Sequence, residues 1–195
     1  MQKLLDGKHV ILASNSPRRK ELLAGLDLDF EVKVLPNIDE SYPENLPAME
    51  VSEYISQKKA EAYKGLIREN DVVITADTVV ICENEIMGKP HDAEDAQRML
   101  RKLSNKSHQV TTGVCITTLK EQVHFSVTTH VSFKELTDDE INYYIATYKP
   151  FDKAGAYGIQ EWIGYIGCTG LDGSYYNVMG LPVQRIYREL LKLSK

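Results

Sequence analysis

Ser14-Asn15-Ser16-Pro17-Arg18-Arg19 sets hydroxyls, an amide and two adjacent guanidinium groups where the apolar run 9–13 turns into a helix. The first-turn N–H groups of a helix already carry positive character, so helix starts favour acidic side chains. Two arginines there make electrostatic sense if an anion from outside the chain sits on them. Hydroxyls, backbone N–H groups and guanidinium forks together suit phosphate. The alternative is a solvated helix face on which Ser16 is only the cap.

Asp77 interrupts VVITADTVVIC (72–82), the most β-branched run in the chain. A carboxylate buried there without a partner is costly, so it must be paired, bind a metal, or stand where the strand emerges. Strand ends are where α/β folds place ligands. Thr78 points to the opposite face of a regular strand, unless a bulge brings both residues to one ligand. The acidic loop NIDE (37–40) offers Asp39 or Glu40 as a companion to Asp77, since hard divalent cations take oxygen ligands and bridge to phosphates. By itself such a loop is simply solvated. Lys89 in GKP and Lys153 in FDKAG lie in glycine-adjacent loops from which a flexible cation can reach a polyphosphate. GxxxxGK[ST] is nowhere in the sequence, which argues against a P-loop ATPase. The glycine-rich stretches AGAYGIQ (154–160) and GSYYNVMGLP (173–182) read either as a backbone-lined pocket for a flat ligand, with Gln160 able to donate and accept, or as structured surface loops. Cys82, Cys115 and Cys168 have no metal-ligand spacing and read as free, mostly buried thiols. His124 and His130 could share a strand face, but lack a third ligand.

The elements that must position these residues alternate between the two periodicities. Residues 9–13 read as a strand, followed by a helix from Pro17 to Gly25 with Ser16 as N-cap and Gly25 as the stop. A second strand covers about 30–35, and a long helix about 49–69. The strand 72–82, a turn through ENEIMGKP and a helix over 92–102 come next. Strands at 109–119 and 123–133 form an antiparallel hairpin, and Thr137 to Glu140 is a capping box opening a helix through Tyr148. The stretch 149–182 has no helical period, and a last helix runs over 183–193. The class is therefore α/β with a mixed sheet flanked by helices.

A chain of 195 residues can bury a substantial core as one domain or two closely joined lobes. A net charge of -5 argues against a protein that coats polynucleotides. No apolar run reaches membrane-spanning length, and MQKLLDGKHV lacks the apolar core of a secretory signal, so the expected location is cytoplasmic.

In order along the chain, ASNSPRRKELL (13–23), FEVKVLPNIDE (30–40), QKKAEAY (57–63), ADTVV (76–80), GKP (88–90), DKAGAYGIQ (152–160) and GSYYNVMGLP (173–182) resemble the Maf family of nucleoside triphosphate pyrophosphatases. The resemblance implies one Maf-like domain over 1–195, a twisted mixed sheet with two lobes around a central cleft, a homodimer, and hydrolysis of a nucleoside triphosphate to monophosphate and pyrophosphate with a divalent metal, Mg or Mn. It places the catalytic and metal-binding carboxylates at Asp77 and Glu40, and the phosphate-binding cations at Arg18, Arg19, Lys59 and Lys89, with Lys153 a further candidate. Arg18, Thr78 and Gln160 resemble the trio of the subgroup acting on dTTP and UTP; the subgroup acting on 7-methyl-GTP carries Trp at the first position. Asn15 and Glu161 depart from the family pattern, and Glu161 bears on the edge of the base pocket. Other readings are an inosine or xanthosine triphosphate pyrophosphatase, and a non-catalytic nucleotide-binding regulator of cell division.

Overall fold

The computed structural model describes Leu5 and residues 7–193; half of the N-terminal stretch weighed above as a signal therefore lies outside the described residues. The strands are β1 (His9–Leu12), β2 (Phe30–Val32), β3 (Asp71–Cys82), β4 (Glu85–Met87), β5 (Ser107–Thr117), β6 (Gln122–Phe133) and β7 (Cys168–Asp172). The α-helices are α1 (Pro17–Ala24), α2 (Ala48–Glu61), α3 (Ala93–Leu103), α4 (Asp138–Tyr148), α5 (Trp162–Gly167), α6 (Tyr175–Val178) and α7 (Val183–Leu193). The strands form one seven-stranded sheet in the order β2-β1-β3-β5-β6-β7, with β4 on β3. β1 pairs parallel with both β2 and β3, while β3–β4 and β6–β7 are antiparallel, so the sheet is mixed as expected. None of the described helices is long and apolar enough to cross a membrane.

The chain divides into two compact units. The first takes residues up to Asp77, Thr112–Val127 and the stretch from Gly180 on; the second takes Thr78–Thr111 and Thr128–Met179. In the first, Val10, Ile11 and Leu12 of β1 and Val72, Val73 and Ile74 of β3 are buried, together with Val51 and Ile55 of α2 and Ile186 and Leu190 of α7. The spacing of those helical residues puts the buried side chains of each helix on one apolar stripe. Gly113 lets α2 lie directly on β5, because a Cβ there would fall 2.2 Å from the Glu53 backbone nitrogen. In the second unit the core gathers Met99, Leu100 and Leu103 of α3, Ile141 and Tyr144 of α4 and Ile163 of α5.

Several expected boundaries move. α2 ends at Glu61 rather than near 69, and a single 3₁₀ turn, Lys64–Leu66, follows. The cause is Tyr63, buried at 2% exposure, whose hydroxyl donates to Lys33 O (2.8 Å) and accepts from Leu35 N–H (3.1 Å). β2 stops at Val32 instead of 35, and the hairpin strands are Ser107–Thr117 and Gln122–Phe133. The segment after β3 is a hairpin with Glu83 and Asn84 both at positive φ, the twist that two-residue β-turns require. The stretch 149–182 holds α5, β7 and α6, each too short to show a period. Ser16 and Thr137 cap α1 and α4 as expected, the latter in a full capping box with Glu140.

Candidate active site

β1 delivers the chain to the start of α1, where Ser16 Oγ accepts the Arg19 N–H at 3.4 Å and Ser14 Oγ accepts the Ser16 N–H at 3.2 Å. Pro17 at the first helical position removes one donor that no acceptor could serve. Arg19 turns back along its own unit: Nε donates to Gly180 O and Nη1 to Ala76 O, both at 2.8 Å. Desolvation lowers its pKa from the ordinary arginine value, and the charges of Asp77 and Glu40 oppose that while Arg18 adds to it. The guanidinium therefore stands in the field of the two predicted carboxylates, one peptide from Asp77.

Those carboxylates share a partner. Lys59 Nζ lies 2.8 Å from Asp77 Oδ1 and 3.2 Å from Glu40 Oε2. Lys59 and Asp77 are largely enclosed, with side chains 13% and 15% exposed, whereas Glu40 is 57% exposed. Asp77 and Thr78 are the only half-buried pair in β3, whose other residues are all buried. The neighbouring Lys58 does different work, donating to Asp39 Oδ2 at 2.7 Å and to Ser41 O at 2.8 Å. Asp39 also accepts the Ser41 N–H at 2.9 Å, and these bonds hold its carboxyl well below the usual range. Asp39 therefore ties the acidic loop to α2, and Glu40 is the member of NIDE that joins Asp77.

Two carboxylates converging on one ammonium mark a point that favours positive charge. Among the described residues no group of three His, Cys, Asp or Glu side chains is assembled for a metal. A divalent ion at Glu40 and Asp77 would complete its shell with phosphate or water oxygens, the usual arrangement for magnesium, so the donor set fits. His124 is paired elsewhere, its Nδ1 2.6 Å from Glu53 Oε1.

The remaining predicted residues, Thr78, Lys89, Lys153 and Gln160, belong to the second unit. Gly155 N–H donates to Gly88 O at 3.0 Å, joining the GKP loop to AGAYGIQ. Gly155 stands at φ 68°, a conformation that favours glycine, and a Cβ there would lie 3.0 Å from the Val80 methyls. Lys153 is 8% exposed, and its Nζ contacts Asp152 Oδ1 (2.7 Å) and Glu161 Oε1 (3.1 Å). Gln160 is half-buried, and its Oε1 is fully buried with no hydrogen-bond partner among the described residues. Tyr144, Glu161 and Lys58 are polar residues of these two groups that sequence reasoning did not assign. Glu161 carried a signal as a departure from the family pattern; Tyr144 and Lys58 carried none.

A family profile described as Maf-like protein matches residues 9–193. A protein of Phocaeicola vulgatus named dTTP/UTP pyrophosphatase is 59% identical over 189 residues, covering 97% of this chain and 98% of its own. Proteins of the same name from Bacteroides thetaiotaomicron and Flavobacterium psychrophilum are 54% and 48% identical; the alignments cover 97% and 98% of this chain, and 98% and 97% of theirs.

Proposed function

The chain belongs to the Maf family, and on that footing we propose that it is a hydrolase of acid anhydrides that cleaves dTTP and UTP to the monophosphate and pyrophosphate. The observation that carries the reading is the convergence of Glu40 and Asp77 on Lys59 beside the Arg18–Arg19 helix start. A pure nucleotide binder has no use for a pair of cation-ready carboxylates next to an anion site.

Glu40 and Asp77 would hold a divalent cation, magnesium or manganese, which when bound supplies Lewis-acid charge toward the triphosphate. Arg18 and Arg19 take phosphate oxygens at the helix start, and Lys59 and Lys89 add further charge. Lys153 joins them when phosphate oxygens replace Asp152 at its ammonium, its contact with Glu161 being kept. Water attacks the α-phosphorus and its proton passes to Asp77 as general base, while the bond to the bridging α–β oxygen breaks and pyrophosphate leaves with its charge held by the cations. Arg18, Thr78 and Gln160 choose the base. The working protein is taken as one Maf-like domain over 1–195, a cytoplasmic homodimer whose partner is the free nucleotide.

The test is product release from dTTP, UTP, CTP, GTP and ITP with magnesium or manganese, separating pyrophosphate from orthophosphate. Pyrophosphate from dTTP and UTP first is the expected outcome. A preference for ITP would move the substrate to purines, and binding without turnover would leave a regulator.

A further inference from the structure

The turn that carries Gln160 is closed on a single phenol oxygen. Glu161 N–H donates to Gly158 O at 3.0 Å, which leaves Ile159 and Gln160 at the tip of a four-residue turn. Gly158 N–H donates to the Tyr144 hydroxyl at 3.0 Å, and that hydroxyl donates to Glu161 Oε2. Both ends of the turn therefore meet at one atom, on a tyrosine with 0% exposure that α4 fixes from outside the loop. Burial, with the Glu161 carboxylate beside it, raises the Tyr144 pKa, so the phenol stays a donor at neutral pH.

The other Glu161 oxygen faces Lys153 Nζ at 3.1 Å, so the carboxylate is engaged on both sides. Gly158 makes the arrangement possible: a Cβ there would fall 2.9 Å from Glu161 Cδ and 3.1 Å from Lys153 Cε. Behind the tip, α5 presses so closely that a Cβ on Gly164 would lie 1.9 Å from Ile159 O. A segment fixed this thoroughly ends in a buried amide oxygen, Gln160 Oε1, with no donor among the described residues. That oxygen has no accessible surface, so the turn holds the Gln160 amide with Oε1 turned inward.

We propose that Tyr144 and Glu161 are positioning residues for base selection: together they clamp the turn so that the Gln160 amide meets the substrate in one held orientation. This rests on the reading of Gln160 as a base contact. Uracil and thymine carry a ring N–H donor beside a carbonyl at their pairing edge. Cytosine carries an acceptor beside an NH₂ there, so an amide held in one orientation serves one kind of base and not the other. Freeing the turn lets the amide rotate to serve either base and adds the entropy of ordering it to the cost of binding.

Tyr144→Phe, Glu161→Gln, Glu161→Ala and Gln160→Ala are compared with the unmodified protein, using kcat and KM for dTTP, UTP and CTP and hydrogen exchange at the Gly158 and Glu161 amides. For Tyr144→Phe and Glu161→Ala, the preference for UTP over CTP in kcat/KM should fall about tenfold, mostly through KM, with kcat within about threefold and faster exchange at Gly158. Glu161→Gln keeps an acceptor for the phenol and should recover much of the preference, which general damage to the fold would not produce. If Gln160→Ala loses the preference while the clamp variants exchange faster and keep it, the clamp is overturned and the base contact stands. If Gln160→Ala keeps the preference, the base contact itself fails and the clamp has no role in selection. Should Tyr144→Phe fail to fold, the two Glu161 variants carry the same comparison.

Discussion

Replacing Asp77 with Asn separates a catalytic carboxylate from a structural one, because the amide keeps the shape and still accepts a hydrogen bond from Lys59. The structural part of the change is bounded by the surroundings. Lys59 loses a charged partner at 2.8 Å in a mostly enclosed setting but keeps Glu40 at 3.2 Å, so no ammonium is left alone. The loss is then that of one charge-assisted hydrogen bond, about 1–2 kcal/mol. For a chain of this size that lowers Tm by roughly 2–8 °C. The catalytic part is larger: losing a general base costs about 10²- to 10⁴-fold in rate, or about 3–5 kcal/mol of barrier. Pyrophosphate release from saturating dTTP and UTP, read beside thermal unfolding of the same samples, distinguishes the two. The expected variant is folded, slightly less stable, and at least about a hundredfold slower in kcat. A variant that loses the expected stability yet keeps kcat within about threefold would show that Asp77 serves only to seat Lys59, and the proposed chemistry would be wrong.

Tyr63→Phe leaves the Leu35 N–H without its acceptor beneath the acidic loop and should cost about 1–2 kcal/mol in urea unfolding; a change below about 0.5 kcal/mol would mean that the loop is held by other bonds. Gly113→Ala drives a methyl into the backbone of α2, 2.3 Å from Ser52 C, and should cost about 3 kcal/mol or more, with a soluble variant of unchanged Tm as the contrary result. His108 is 2% exposed, and burial pushes its pKa down from 6.5 to about 4. Because the unfolded chain then binds the proton first, stability falls as pH drops from about 6.5 toward 4, by roughly 3 kcal/mol for this group, and flattens below. His108→Gln should remove that part of the slope, and equal slopes in the two proteins would assign the acid sensitivity to other groups.

Much of this architecture is written locally. The β-branched run of β3, the Ser16–Pro17 start of α1, the Thr137–Glu140 box and the stripe of α7 were each legible because the signal lies within one or two turns of chain. The end of α2 was not, since Tyr63 is drawn to the Lys33 carbonyl, which its neighbours in sequence do not reveal. β7 hides for a similar reason: CTGLD has little strand character and is held by pairing along β6. The site divides the same way. Asp77 declared itself as a carboxylate in an apolar run, but Lys58 and Lys59 are adjacent and chemically identical in the sequence. That one ties down Asp39 while the other joins Glu40 to Asp77 follows only from the meeting of positions 40, 59 and 77 in space. The α1 helix end offers a smaller case: Gly25 remains right-handed, and the left-handed residue is Asp27.

The bond from Arg19 to Gly180 O spans 161 positions of sequence. On a ribosome adding about 5–20 residues per second, Arg19 waits on the order of ten to thirty seconds for that carbonyl to be made. Until then the arginine lacks one of the two backbone acceptors that fix it beside Asp77. A nascent chain therefore carries its basic pair, its acidic loop and β3 well before Arg19 can be tied to both carbonyls. The anchoring of Arg19 on both carbonyls is completed only when almost the whole chain has been made.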